Sequence, residues 1–289
     1  MKTSREPVIE RVADLTMRLS RKYLADYGAT TSRHDFTQRQ LLSCLVLRAY
    51  LKTTYRGVLE VLAVSESLRE KLGLDDKLPH YTTLQKFSGR SQVVAIVGQL
   101  IGAIGQAAGA QEPGVKAVAM DSTGLATSMA SEYFRNRTGS KCKQWVKVSV
   151  LVLCTSLLPV GLVVSLGPSN DRTQAPELLR QGQAVAQPER LYADGGYDAE
   201  WIHEQCRAQW GVESIIKPLN QRADGSRSGH WRSLMSPEHL AEQGYGRRWA
   251  AESFFSGCKR AMGSALASRR TDQMLAEAAL RVLAYTLRR

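Results

Sequence analysis

The 289-residue chain has five cysteines, Cys44, Cys142, Cys154, Cys206 and Cys258, and none of them forms a C-x-x-C pair. The absence of that spacing argues against a zinc knuckle and reads as a reduced, cytoplasmic protein. No G-x-S-x-G elbow occurs, and His34, His80, His203, His230 and His239 are scattered, so Ser/His/Asp hydrolysis is a poor fit. The first residues, Met-Lys-Thr-Ser-Arg-Glu-Pro, run into an amphipathic pattern that contains acids, unlike a signal peptide. One long stretch, Val148 to Asn170, carries no charge. Thr155-Ser-Leu-Leu-Pro159 interrupts it and its flanks are rich in valine, so it reads as two buried strands and a turn, and no membrane partner is expected.

Acidic residues are the scarce charge. There are 27 Asp and Glu against 39 Lys and Arg, a net charge of +12. Residues 1–110 carry a net +6, residues 111–244 a net of zero, and residues 245–289 a net +6. A surplus gathered at the two ends points to an anionic partner.

Residues 1–110 read as an all-helical domain. Leu41, Leu42, Leu45, Val46 and Ala49 mark the buried face of a helix over Arg39–Leu51. Thr54 and Ser65 cap the next two helices, Gly73 ends the second of these, and a fourth with a Thr cap lies in Leu78–Phe87. This succession fits either a helix-turn-helix reader of DNA or a plain helical cap. Gln92–Ala108 is a further helix, and Gly109–Gly114 reads as a linker.

From residue 115 to 289 the period becomes strand-like. Strands are expected at Val115–Met120, Gln144–Cys154, Leu158–Leu166, Leu191–Ala193 and Val212–Lys217. Helices are expected at Ala175–Ala186, at Asp198–Trp210 with Asp198 as cap, at Pro237–Gly244 and from Tyr245 onward. Asn220–Ser236 reads as a loop. A hairpin-fed mixed sheet with helices on its faces is the α/β, ribonuclease-H-like arrangement.

Asp121 and Asp194 each follow a strand, and Glu252 lies on the last long helix. If the first and fourth strands are adjacent and parallel, the two aspartates emerge together. Three carboxylates from distant segments suit two Mg²⁺ ions, which want oxygen ligands and can act on both oxygens of a displacement at phosphorus. Asp171 and Asp198 read as turn or cap residues. On one continuous helix Tyr245, Arg248, Glu252 and Lys259 fall at about 0°, 300°, 340° and 320°, a single face. Trp249, Phe254 and Phe255 would back that face. A mundane Arg248–Glu252 ion pair is equally open to the pattern.

These residues resemble the DDE transposases of bacterial insertion sequences, in the group with a Tyr-Arg-Glu-Lys signature. The likeness rests on Tyr245-x2-Arg248-x3-Glu252-x6-Lys259, on Trp249 after the arginine, and on Asp121 in Met-Asp-Ser-Thr. Asp194 in Ala-Asp-Gly-Gly-Tyr-Asp, Thr54-Tyr-Arg56 and Pro79-His-Tyr-Thr-Thr-Leu84 add to it. The resemblance implies a catalytic domain over residues 115–289 in which Asp121, Asp194 and Glu252 hold two Mg²⁺ or Mn²⁺ ions. Tyr245, Arg248 and Lys259 would contact DNA phosphates. It implies hydrolysis at transposon ends, then attack of the freed 3′-hydroxyl on target DNA without a covalent protein–DNA intermediate. A homodimer assembled on double-stranded DNA and a place at the nucleoid go with it, and residues 1–110 would bind DNA or dimerise. Two alternatives stay open. One is a metal-dependent nuclease of the same fold that does not join. The other is an idle, transposase-derived DNA-binding protein.

Overall fold

A computed structural model describes residues 6–31, 33–111, 116–127, 145–219 and 228–289. Parts of the expected linker and of the 220–236 loop, together with Gln144 and Cys142, lie outside them. The helices are α1 (Val8–Ser20), α2 (Gln38–Leu51), α3 (Tyr55–Val64), α4 (Glu66–Leu72), α5 (Tyr81–Ser88) and α6 (Gln92–Gln111), then α7 (Ala175–Val185) and α8 (Glu200–Glu204). They continue with α9 (His230–Ser233), α10 (Pro237–Glu242), α11 (Trp249–Met262) and α12 (Thr271–Arg288). The strands are β1 (Ala117–Ala126), β2 (Trp145–Leu153), β3 (Pro159–Gly167), β4 (Arg190–Ala193) and β5 (Glu213–Ile216). Two compact units divide the chain, one drawn from residues 1–100, 126–142 and 258–289, the other from 101–125 and 143–257.

The first unit is helical for local reasons. Thr37 and Gln40 form a capping box at α2, satisfying two backbone donors reciprocally. Thr54 and Ser65 accept from Gly57 and Leu68 and so cap α3 and α4, and Gly73 closes α4 at φ 60°. The start of α5 departs from expectation. It begins after His80 with no side-chain cap, because the Thr82 hydroxyl lies 2.8 Å from His80 Nδ1 inside the first turn. Residues 109–111 of the expected linker belong to α6, which runs on to Gln111. By length and composition the 92–109 part of α6 could cross a membrane, a property that core helices share.

The second unit is a five-stranded mixed sheet in the order β3-β2-β1-β4-β5, with helices around it. The charge-free stretch is the antiparallel β2–β3 hairpin. β1 pairs with β4 in parallel, and β4 with β5 likewise. The core behind the sheet gathers Val118, Met120, Leu151, Leu191, Tyr197 and Trp210 among others. β1 does not end at Asp121. It is buried through Met120 and continues with a more exposed half to Ala126. Asp198 is not a cap either. α8 starts from Ala199 without a side-chain cap, and the buried Asp198 carboxylate accepts both Nε and Nη2 of Arg232 at 2.7 Å.

His203 on α8 is fully buried, with Nδ1 2.7 Å from Ser214 Oγ and Nε2 without a partner. Burial, helped by the charge of Arg207, pushes its pKa down to about 4. The folded value lies below the unfolded one, so the unfolded chain binds the extra proton first as pH falls. The stabilisation is whole above about pH 6.5 and is lost between there and pH 4, a change of roughly 3 kcal/mol. His203→Gln should therefore flatten the fall in urea midpoint between pH 7 and pH 4.5. Equal falls in the variant and the native chain would refute this.

Candidate active site

The last pair in the β1–β4 ladder is Met120 with Ala193. The next residues are Asp121, still within β1, and Asp194, just past the end of β4, so parallel pairing sets the two acids side by side, about 5 Å apart at the backbone. Each carboxylate is set by its own turn. Asp121 Oδ1 accepts the Ser122 amide at 2.8 Å. Asp194 Oδ1 accepts the Gly196 amide at 2.9 Å, capping the 3₁₀ turn Gly195–Tyr197. A Cβ on Gly196 would lie 2.5 Å from Asp171 Oδ2 and 3.0 Å from Asp194 Oδ1, so two carboxylates close over a residue that must be glycine.

Glu252 sits in the first turn of α11, where the helix dipole favours an acid. Ala251, Phe254, Phe255 and Cys258 bury the opposite stripe of that helix. Trp249 does not back the polar face as expected, being about half exposed. The face is also not one continuous α-helix. Tyr245–Arg248 is a 3₁₀ turn and α11 begins only at Trp249. In a 3₁₀ turn residues three apart eclipse, which stacks Arg248 on Tyr245 with 5.9 Å from guanidinium to ring centre. The Tyr245 hydroxyl donates to Ala193 O at 3.2 Å and so ties this turn to the end of β4.

Arg248 bridges the acids. Its Nη2 lies 2.5 Å from Glu252 Oε1 and its Nη1 4.0 Å from Asp121 Oδ2. Burial pushes the Asp121 pKa up to about 6, and the charges of Asp194 and Glu252 add to the rise while the Ser122 amide and Arg248 oppose it. Asp194 is raised as well, by burial first and then by the charges of Asp171 and Glu252. Burial also pushes the Tyr245 phenol up to about 12.

The three expected ligands thus lie within electrostatic range of one another. Among the described residues, however, no three Asp, Glu, His or Cys side chains converge tightly enough to enclose one ion. The physical reason is that bare carboxylates repel, and the guanidinium of Arg248 supplies the cation between two of them. The donor set is nevertheless one that a hard divalent ion takes: three carboxylates, of which the partly buried Asp121 and Asp194 are disfavoured as anions by burial and neighbouring charge and would be favoured by added positive charge. Lys259 lies on α11 seven residues beyond Glu252, in the stretch assigned to the first unit.

Two residues at this site were not picked out by the sequence reading. Asp171, taken there as a turn residue, accepts the Ser122 hydroxyl and pairs with Lys147 Nζ at 2.7 Å. Lys147 had a signal, a lone charge among the valines of the buried β2 strand.

Residues 113–287 match the family described as the transposase DDE domain. No curated protein matches the chain.

Proposed function

The chain belongs to the family of transposases with a DDE domain, and we propose from that premise that it cuts double-stranded DNA at the ends of its own element and joins those ends to a target. We assign it to the group with the Tyr-Arg-Glu-Lys signature. The observation that carries the site assignment is the Met120–Ala193 register, which delivers Asp121 and Asp194 together with Glu252 in electrostatic reach.

In this reading Asp121, Asp194 and Glu252 hold two Mg²⁺ or Mn²⁺ ions, which when bound supply positive charge to the attacking and leaving oxygens of a phosphodiester. The protein's own residues do the rest. Arg248 holds Glu252 and Asp121 together in the free protein and offsets part of their repulsion. An incoming phosphate competes for that guanidinium through a bidentate pair, which releases the carboxylates when substrate is present. The Tyr245 hydroxyl keeps the 3₁₀ turn on the end of β4, and so keeps Arg248 beside the acids. Lys259 contacts a backbone phosphate further along α11. Residues 1–110 serve as the DNA-binding and dimerisation region, and two copies pair two DNA ends.

Strand transfer is tested by incubating the purified chain with Mg²⁺, linear DNA carrying the element's own ends, and a supercoiled target. Joined products are expected. Cleavage without joining would reduce the reading to a nuclease, and binding without cleavage to an idle DNA-binding protein. Lys259→Ala should weaken DNA binding and lower the slope of log K against log salt by about 0.9, one phosphate contact on duplex DNA. A slope equal to that of the native chain would remove Lys259 from the interface.

A further inference from the structure

Asp171 does not serve its own turn. Asn170 caps the 3₁₀ turn Asp171–Gln174, its side chain accepting from the Arg172 amide at 3.1 Å. The Asp171 carboxylate is spent elsewhere. Oδ1 accepts Lys147 Nζ at 2.7 Å and also accepts the Ser122 hydroxyl. Oδ2 faces the space over Gly196 that Asp194 Oδ1 borders from its other side. The Lys147 side chain is only 7% exposed, and its ammonium also donates to Ser169 O at 2.7 Å. Both of its anchors lie just after β3, and one of them is the Asp171 carboxylate that borders the Asp194 turn.

Stability is a weak reason for such a pair. Replacing a buried ion pair by apolar groups of similar volume is commonly neutral or stabilising. A lysine inside a valine-rich strand therefore calls for another account, and the neighbours supply one. Ser122 has two bonds: its hydroxyl goes to Asp171 and its amide to Asp121 Oδ1. Fixing Asp171 thus fixes the residue that orients Asp121. On the other side, Asp171 is the first of the charges acting on Asp194, ahead of Arg248 and Glu252. The fully buried Tyr197 packs into the same region. Burial raises its pKa and the charges of Asp171 and Asp121 raise it further.

We propose that Asp171, locked by Lys147, is a positioning residue of the acidic site, holding Asp121 through Ser122 and bounding the Asp194 turn across Gly196. The proposal rests on the assignment of Asp121 and Asp194 to that site. Lys147 fixes the carboxylate in place, and Asp171 sets the direction of both aspartates without itself touching DNA.

The test uses the full chain and Mn²⁺ alone, titrated by calorimetry without DNA, followed by cleavage kinetics on end DNA. Asp171→Ala should lower Mn²⁺ affinity and kcat about tenfold or more, as loss of a group that orients ligands does. KM for DNA should stay within about threefold of the native value. If that variant does not fold, Asp171→Asn, which keeps the shape and an acceptor for Lys147 and Ser122, should show a loss in the same direction. Ser122→Ala should give a smaller loss, because the amide bond to Asp121 remains. Mn²⁺ affinity and kcat within twofold of native in a folded Asp171 variant would overturn the proposal, whatever its melting temperature. Asp121→Asn separates the two readings. If it also binds Mn²⁺ normally, the assignment of the site fails; if it loses binding while the Asp171 variant does not, only the positioning role falls.

Discussion

Glu252→Gln is expected to abolish divalent-metal-dependent cleavage of end DNA, a fall of about a thousandfold or more, while DNA binding stays within about tenfold of native. A thousandfold corresponds to roughly 4 kcal/mol of transition-state stabilisation. Glutamine keeps the size of the side chain and removes the charge that a hard cation requires. The fold should not notice. Glu252 is half exposed, and its ion pair with Arg248 four residues earlier is of a kind that contributes at most about 1 kcal/mol. Binding should survive for a further reason. With the charge gone, Arg248 keeps only a neutral acceptor on residue 252, its stack on Tyr245 and the more distant Asp121, and is freer to meet a phosphate. The measurement is cleavage in Mg²⁺ alongside a gel-shift titration at one salt concentration. Unchanged cleavage would remove Glu252 from the site. Loss of cleavage together with loss of binding would mean that the residue holds the protein together on DNA and is no ligand.

Much of the second unit was legible because strand runs and their order carry strong signals. The Val-rich flanks around Thr155–Pro159 gave the hairpin to within about a residue at the described ends, and the parallel pairing of β1 with β4 follows from the alternation of strands and helices. The pairing of Asp121 with Asp194 was thereby foreseeable from two short motifs. What was illegible depends on contacts between distant segments. Asp198 sits just before a helix, as a cap would, but its carboxylate is claimed by Arg232 from 34 residues away. Asp171 follows Asn170, and nothing local tells which of the two caps the turn and which is left for Lys147. The face from Tyr245 to Lys259 was placed on one α-helix because spacing alone does not distinguish a 3₁₀ first turn from an α one. The convergence of three acids on one point is expected from two neighbouring strand ends and the last long helix. In the free chain Arg248 sits against two of them, a competition that no spacing rule encodes.

The largest effect on stability should come from Glu277→Ala, a residue outside every motif. Its carboxylate, 4% exposed on α12, accepts the amides of Ala267 and Ser268 at 3.1 and 2.9 Å and the Ser268 hydroxyl at 2.6 Å. It also pairs with Arg281 at 2.7 Å and with the equally buried Arg48 at 3.6 Å. Burial would raise its pKa, but the Ser268 hydroxyl, Arg48, the Ala267 amide and Arg281 together hold it below the usual carboxylate value. Truncation to alanine orphans the buried Ser268 amide, removes the acceptor of the half-buried Ala267 amide, and leaves Arg48, 6% exposed and with an unpartnered Nε, without its counter-ion. Breaking a buried pair from one side costs about 3–5 kcal/mol. For a unit of this size that is a fall of roughly 10 °C in melting temperature. Tyr55, whose ring lies 4.1 Å from the Arg48 guanidinium, softens but does not replace the lost charge. The double variant Arg48→Met/Glu277→Leu should recover much of the loss, since it removes both charges and fills the space. Denaturant midpoints for the two single variants and the double close the cycle. A loss under 1 kcal/mol in Glu277→Ala, or a double variant less stable than the sum of the singles, would show that the fold does not depend on this pair. The acidic site and this buried acid then make opposite demands of the same residue type. Glu252 is expendable to the fold and required by the chemistry, and Glu277 is required by the fold because its charge is fully matched by partners that cannot do without it.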